Sequence, residues 1–584
     1  MPITLSKEVR VGDTVYSGQL RAQIDHDMSL RDLAIGDVRA LDAIVFASRD
    51  GRWGTGDVKV ESFVGHQDDR GFSIDFRCRH VNSDIEIDWT GNYTARDGEL
   101  RASICGTPAR RQCVNRAGFS LLHPIEQRGN TVRARTTRGR IVSQFPDAIS
   151  PVPLFTDMVG MSIDLGHGTS IDVTFEGEVF ETEDHRNWTD AGWKTYCTPL
   201  SHPPKRVITP ADRIDQVLVF RALQMGGGPR RRPTQALRVE VEDVSSGIVP
   251  RIGSMASDLP GLAPEVRADV RSLGLDHVGV ELVDGDRPLE RLSRAVAEAR
   301  ECGVPLRVFL ATKPDRLDAW IRTLTRASHP VDVLVAVDTD TNSSTDRLVA
   351  GTNAVRRTLD PPMEFAAGTR GYFAELNRLE LDLTGSASVC YAICPQVHHF
   401  DDQLVMDTLL GQPDTVAGTM ARTASRRVHV GPITLRQRLN VHEHPAAPMS
   451  WEDGVTGDVD PRQHAPFAAV WALGTVAACV RATSLTIYRT AGRRGIVPGQ
   501  DTTAVVRSLA SLAGQTVQRL VISDPRRVIG LAVKSHTTTV LLLGNRTGDP
   551  QEVTVEWNKG TSVIKLQAWE IQRFDMASGI WHAV

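Results

Sequence analysis

Between Cys394 and Asp402 the run CPQVHHFDD sets an amide, two imidazoles and two carboxylates (Gln396, His398, His399, Asp401, Asp402) within seven positions. Imidazole moves protons near neutral pH, and carboxylates orient it or join it in holding a divalent metal. The run ITLRQRLN adds Thr434, Arg436, Arg438 and Asn440. Its guanidinium groups are planar donors suited to a carboxylate, a carbonyl oxygen or sugar hydroxyls. GTRGYFAELNR carries Arg370, Glu375 and Asn377, and the segment FETEDHRNWTDAGWKTY packs Glu181, Glu183, Asp184, His185, Arg186, Asn187, Trp188, Asp190 and Lys194 around two tryptophans. That density of charge, amide and indole suits a sugar-facing surface. A structural alternative stands beside each set. Either histidine can bond loop backbone, Asp401 or Asp402 can cap a following helix, and the arginines and Glu375 can be ion-pair partners. The tryptophan segment can be an ion-pair-rich hairpin that docks two domains.

These residues need a scaffold, and the pattern from Val249 onward supplies one. Eight short apolar runs begin at Arg251, His277, Leu306, Val331, Glu364, Ser388, Val428 and Ser484. Helical patterns lie between them, clearest in PLERLSRAVAEAREC, with Pro288 placed to open it and Gly303 to end it. Eight such units in about 265 residues have the rhythm of a (β/α)8 TIM-type barrel. No Gly-x-Gly-x-x-Gly follows the first strand, which counts against a doubly wound sheet. Barrel chemistry sits at the carboxyl ends of strands. There the sequence places Glu281, Asp338, Arg370, the sixth-strand cluster, the seventh-strand arginines and TIYRTAGRRG.

On either side the texture is β-like. FSIDFRCRH, SDIEIDWTG and SIDVTFEGEVF alternate apolar and polar residues between Gly, Asp and Asn turns, as half-buried strands do. The expected class is multidomain β plus α/β: an N-terminal β-sandwich (1–246), a catalytic barrel (247–515) and a small C-terminal β-sandwich of five to six strands (516–584).

The chain has 584 residues, 67 Lys plus Arg against 71 Asp plus Glu, and a net charge of −4. With no basic stripe, nucleic acid is not an expected partner, and no apolar run is long enough for a membrane span. The eight cysteines are scattered, and no secretory signal opens the sequence, so a soluble cytoplasmic protein is expected. Gly-x-Ser-x-Gly, Cys-x-x-Cys and His-Glu-x-x-His are absent. His442-Glu443-His444 sits in a Pro-rich loop and reads as surface. The seventh strand ends in Thr and Arg without a Glu, which weakens a retaining glycosidase.

Taken together, FETEDHRNWTDAGWKTY, NRAGFSLLHP (from Asn115), FPDAISPVPLF (from Phe145), YFAELNR, PQVHHFDD, ITLRQRLN and DPRQ (from Asp460) resemble the D-apionate lactonase family. The resemblance spans the β domain to the eighth strand. It implies hydrolysis of D-apionolactone to D-apionate in apiose breakdown. One departure stands out: where the family pattern has Tyr-Glu-Thr-x-Gly after the eighth strand, this chain has Tyr488-Arg489-Thr490-Ala491-Gly492. Opening a lactone needs a base for water, donors for the oxyanion and an acid for the leaving alkoxide. The candidate assignment takes Glu375 or His398 as base, with Arg436 and Gln396 near the carbonyl oxygen. Asp184, Asn187, Trp188, His399, Asp401, Asn377 and Arg438 are the candidate substrate contacts. No cofactor is required, although a divalent metal on the sixth-strand His and Asp residues is a second mechanism. The expected partner is a small sugar-acid lactone, and a homo-oligomer is compatible with the composition. The rival readings are a glycoside hydrolase on the same architecture and a catalytically altered sugar-acid-binding relative.

Overall fold

The computed structural model describes residues 7–584 apart from 167, 201, 225–235, 357–362, 384–385, 424–426, 440–458, 536–537 and 559. Asn440 and the His442–His444 run lie outside the described residues. The chain divides into two compact units, Met1–His185 with Ala191–Thr234, and Arg186–Asp190 with Gln235–Val584.

In the first unit, eighteen strands join in one continuous sheet. Alternation decides which side each residue takes. In Gly71–Val81, from Phe72 onward, the buried positions are Phe72, Ile74, Phe76, Cys78 and His80, with more exposed residues between them. Phe46, on Val38–Asp50, meets Phe76 at 5.8 Å and Trp89 at 5.5 Å, although these strands are not neighbours in the sheet. A single sheet therefore doubles over one apolar core, where two separate sheets were expected.

In the second unit, all eight expected barrel strands form: β1 (Arg251–Met255), β2 (Val278–Val283), β3 (Leu306–Ala311), β4 (Val331–Val337), β5 (Glu364–Gly368), β6 (Ser388–Ile393), β7 (Val428–Ile433) and β8 (Ser484–Ala491). They are parallel, and β8 pairs with β1 to close the barrel. Pro288 and Gly303 bound their helix as expected, Gly303 at φ 69°. After β5 the helix shrinks to one turn, Phe373–Asn377.

Val278, Val280 and Leu282 of β2 pack outward on Leu292, Val296 and Ala299 of the helix Pro288–Cys302. The other face of the strand therefore turns His277, Gly279 and Glu281 inward. At the amino end His277 Nε2 meets Thr486 Oγ1 at 2.8 Å, and its ring occupies the space a Cβ on Gly253 would need. Arg307, wholly buried, donates to Asp332 Oδ2 and to Ser484 Oγ, each at 2.5 Å. Ser484 passes its proton toward His429 Nδ1 (2.8 Å), whose Nε2 faces Glu364 Oε1 at 3.0 Å. Above this polar layer lie Met255, Phe309, Val333, Val335 and Cys390.

One boundary moves. Leu237–Ile248, assigned above mostly to the N-terminal domain, pairs antiparallel with Thr516–Ile522 and parallel with Gln551–Trp557. It is a central strand of the eight-stranded C-terminal sheet. Trp557 and Phe574, on strands well separated in that sheet, meet at 5.1 Å, so this single sheet also curls over its own core. Asp407, 1% exposed, accepts from Arg526 at 2.6 Å and Arg546 at 2.8 Å, tying this sheet to the segment after β6.

Burial depresses both His277 and His429 from 6.5 to about 4. The unfolded chain then binds more protons between those values, so stability present at neutral pH is lost as pH falls from 6.5 through 4. Asp332 and Glu364, also held below the usual carboxylate range, add loss of the same sign at lower pH. Each histidine contributes up to about 3 kcal/mol. Thermal unfolding followed from pH 7 to pH 4 is expected to show a steep fall in Tm. A flat profile would show that this layer does not govern stability.

Candidate active site

The carboxyl ends of β5, β6 and β7, with the short segment Arg186–Asp190, gather most of the expected residues. Asp190 Oδ2 lies 2.6 Å from His398 Nδ1. This contact fixes the tautomer: Nδ1 donates to the carboxylate, leaving Nε2 as the basic nitrogen. Trp188 meets the same imidazole edge-on at 5.2 Å, and the Arg378 guanidinium sits 5.0 Å from its ring centre. At 7% exposed, Trp188 is a wall that orients His398, not the open sugar-stacking platform expected from its sequence setting. Asn377 Nδ2 donates to Asn187 Oδ1 at 3.0 Å, joining the two segments. Arg186, wholly buried, anchors the short segment through Asp414 at 2.8 Å. His399 follows His398, the rings 6.3 Å apart.

Gln396, 1% exposed, gives Nε2 to Leu435 O at 2.8 Å and to Asp460 Oδ2 at 2.6 Å. Both partners accept only, so the amide orientation is determined and its protons are engaged. Oε1 is left without a partner among the described residues. Gln396 therefore presents an acceptor, where the sequence reading had a donor for the carbonyl oxygen. Asp460 also takes Arg462 Nε at 2.9 Å and lies 3.3 Å from Arg436 Nε. Burial works to raise its pKa, but the bonds from Arg462 and Gln396 hold it below the usual carboxylate range. Arg436 remains 30% exposed, its guanidinium 5.6 Å from the Phe400 ring.

Several candidates have other work. Glu375 Oε2 accepts from Tyr372 N at 2.7 Å, closing the first turn of its helix. Partial burial raises its pKa, since desolvation outweighs that bond. Asp401 caps its helix by accepting from Leu404 N at 2.9 Å, and Asp402 pairs with Arg462 at 2.6 Å. These two carboxylates thus have partners other than the neighbouring histidines. Arg438 gives Nη1 to Glu281 Oε1 at 2.7 Å, and Arg370 Nε reaches the same oxygen at 2.6 Å. In the first unit, Asp184 is buried and accepts from Ser150 N at 3.1 Å. The sequence reading named Asp190 only within its segment and DPRQ only as a weak motif. Asp190 and Asp460 both prove central to the geometry.

Family models for the N-terminal domain and the TIM barrel domain of D-apionate lactonase match residues 3–224 and 257–517. A D-apionate lactonase of Brucella anthropi is 26% identical, over 91% of this chain and 92% of the relative. Among solved structures, a GH30 endoxylanase from Clostridium papyrosolvens C71 overlaps 58% of this chain and 98% of its own at 7% identity, with a TM-score of 0.38. A glycoside hydrolase family 30 xylanase from Clostridium acetobutylicum overlaps 57% and 98% at 8% identity, again with a TM-score of 0.38. Overlaps that loose carry no weight for chemistry. The two family models meet the barrel and the β-sheet domain described above, and the chain belongs to the D-apionate lactonase family.

Proposed function

We propose that this enzyme hydrolyses D-apionolactone to D-apionate, a step in apiose breakdown, with His398 as the general base. The observation that carries the chemistry is the 2.6 Å contact of Asp190 with His398 at the barrel mouth. Nε2 of the imidazole takes a proton from water as that water adds to the lactone carbonyl. The oxyanion that forms is met by Arg436, a partly exposed cation of this wall. Collapse breaks the ring C–O bond, and the imidazolium returns its proton to the departing alkoxide. The acid product then ionises. Asp190 stabilises the imidazolium and keeps the ring in register. Gln396 Oε1 accepts a substrate hydroxyl, with Asn187, Asn377 and His399 as the remaining polar contacts. Eight free cysteines fit a reducing cytoplasm.

Acid release by purified protein on D-apionolactone, followed by pH-stat beside related aldonolactones, tests the reaction. Acid release far above the uncatalysed rate, unchanged by a chelator, is the expected result. Flat traces on every lactone, with reducing sugar freed from a glycoside, would replace this reading by glycosidic hydrolysis.

The dyad has its own test. His398→Ala should lower kcat by roughly 10²–10⁴-fold. Asp190→Asn should lower kcat and move the acid limb of the pH profile to lower pH, because the carboxylate that favours imidazolium is gone. A profile unmoved by Asp190→Asn would sink the orienting role. Glu375→Gln separates the other candidate base. Glutamine also closes this helix turn, so the variant is expected to fold and to keep turnover within about threefold. A loss of several orders of magnitude would transfer the base to Glu375.

A further inference from the structure

A second feature of the barrel mouth is not used by the proton-transfer scheme. A cleft at the carboxyl ends of β1, β2 and β8 is lined by Ser257, Asp258, Glu281, Arg291, Arg294 and Arg489. Glu281 is 3% exposed, and its two hydrogen bonds among the described residues, from Arg370 and Arg438, both go to Oε1. Oε2 has no hydrogen-bond partner among the described residues. A buried carboxylate oxygen without a donor is costly, and it acts as a strong acceptor for any donor that arrives. Although burial works the other way, the two arginines hold the group below the usual carboxylate range, so it is charged at neutral pH.

The surroundings narrow the ligand. Arg370, Arg438 and Arg489 crowd this one carboxylate with positive charge, which disfavours a metal ion or ammonium group. The fitting donor is a neutral hydroxyl, on a molecule that carries acceptor oxygens or a carboxylate elsewhere. Sugar lactones and the aldonates they become have both. The cleft is also shaped by bare backbone: a Cβ on Gly492 would strike Asp258 Oδ1 at 2.1 Å, and one on Gly279 would strike Met255 Sδ at 2.7 Å.

We infer that Glu281 Oε2 accepts one hydroxyl of the bound lactone or aldonate, making this cleft the hydroxyl-recognising subsite of the barrel mouth. The inference rests on the lactonase reading for the identity of the ligand. Glu281 acts here on recognition, and the proton transfers stay with His398.

The test is a set of lactones each lacking one hydroxyl, assayed on the unaltered enzyme and on Glu281→Gln. At one position, removing the hydroxyl should cost the unaltered enzyme roughly 10- to 100-fold in kcat/KM, the scale of a hydrogen bond to a charged group. Glu281→Gln should lose a similar factor on the full lactone and no longer distinguish it from that deoxy analogue. A variant that discriminates as well as the unaltered enzyme overturns the subsite. Because Glu281 also neutralises two arginines, a second measurement leaves the residue intact. A crystal of the unaltered protein with D-apionate should place a hydroxyl about 3 Å from Oε2. Ordered water alone at Oε2, with the aldonate bound elsewhere, overturns the inference and leaves the lactonase reading untouched. An aldonate seated on Glu281 in a protein that hydrolyses no lactone would do the reverse.

Discussion

Two guanidinium groups share one buried carboxylate oxygen at the mouth of the barrel, and the site is arranged around that fact. Glu281 ends β2, Arg370 follows β5 and Arg438 follows β7, so the ion triad spans the barrel between strands that do not pair. Arg370 also gives Nη1 to Asn342 Oδ1 at 2.9 Å, which draws in the loop after β4. Removing one partner of such a buried set costs several kcal/mol because it leaves the others charged and unmatched. The triad therefore fixes the start of the loop that carries Tyr372, Glu375 and Asn377, and the end of the run that carries Arg436. Tyr372 adds a second tie between them, its hydroxyl donating to Leu439 O at 3.2 Å.

The same strand shows how a period of two divides labour along a barrel. His277, Gly279 and Glu281 face inward from β2 and serve different ends of the interior. At the amino end, His277 belongs to a chain of neutral and ionic hydrogen bonds in which each member has a partner. At the carboxyl end, Glu281 keeps one oxygen without a partner among the described residues, as does Gln396 at the end of β6. Buried polar groups left open cost stability wherever they occur. At the mouth these two open acceptors stand beside the proposed site, whereas His277, Arg307, Ser484 and His429 in the amino-terminal layer are each bonded to one another or to Thr486, Asp332 and Glu364.

Much of the scaffold was legible because buried parallel strands are short, nearly continuous apolar runs whose spacing is set by the helices between them. VDVLVAV and SVCYAI, too short for helices and spaced by helical patterns, read as candidate strands and form β4 and β6. The boundary at residue 246 failed for the opposite reason. Leu237–Ile248 alternates like the strands before it, and its partners lie near residues 516 and 551, beyond any local pattern. Distance in sequence also hid the dyad, since Asp190 and His398 are 208 positions apart. Asp401 and Glu375 show the reverse difficulty. A carboxylate near the start of a helix carries the same local signature whether it caps the turn or serves a ligand, and here both bond backbone N–H groups. Gln396 needed Asp460 to settle which end of its amide is left to accept, and DPRQ alone gave no hint of that pairing.

Arg489, where the resemblance implies a glutamate, acquires a physical meaning from its place. Tyr488 adopts φ 52° within β8, and the register against β1 shifts at this point, so that Arg489 comes opposite Met255. Its Nη1 donates to Ala256 O at 2.6 Å, and burial lowers its pKa to about 10, a shift that the charges of Asp258 and Glu281 resist. A glutamate here would stand beside Glu281 and remove one of the cations around it. Two like charges in one cleft raise each other's pKa. The pair would then hold a proton and donate as well as accept. The arginine instead leaves Glu281 a pure acceptor and adds donors of its own to the cleft. The exchange falls on the wall of β1, β2 and β8, while Asp190 and His398 belong to the wall of β5, β6 and β7. On the proposed scheme, a change at position 489 bears on the hydroxyl-recognising cleft and not on the Asp190–His398 pair.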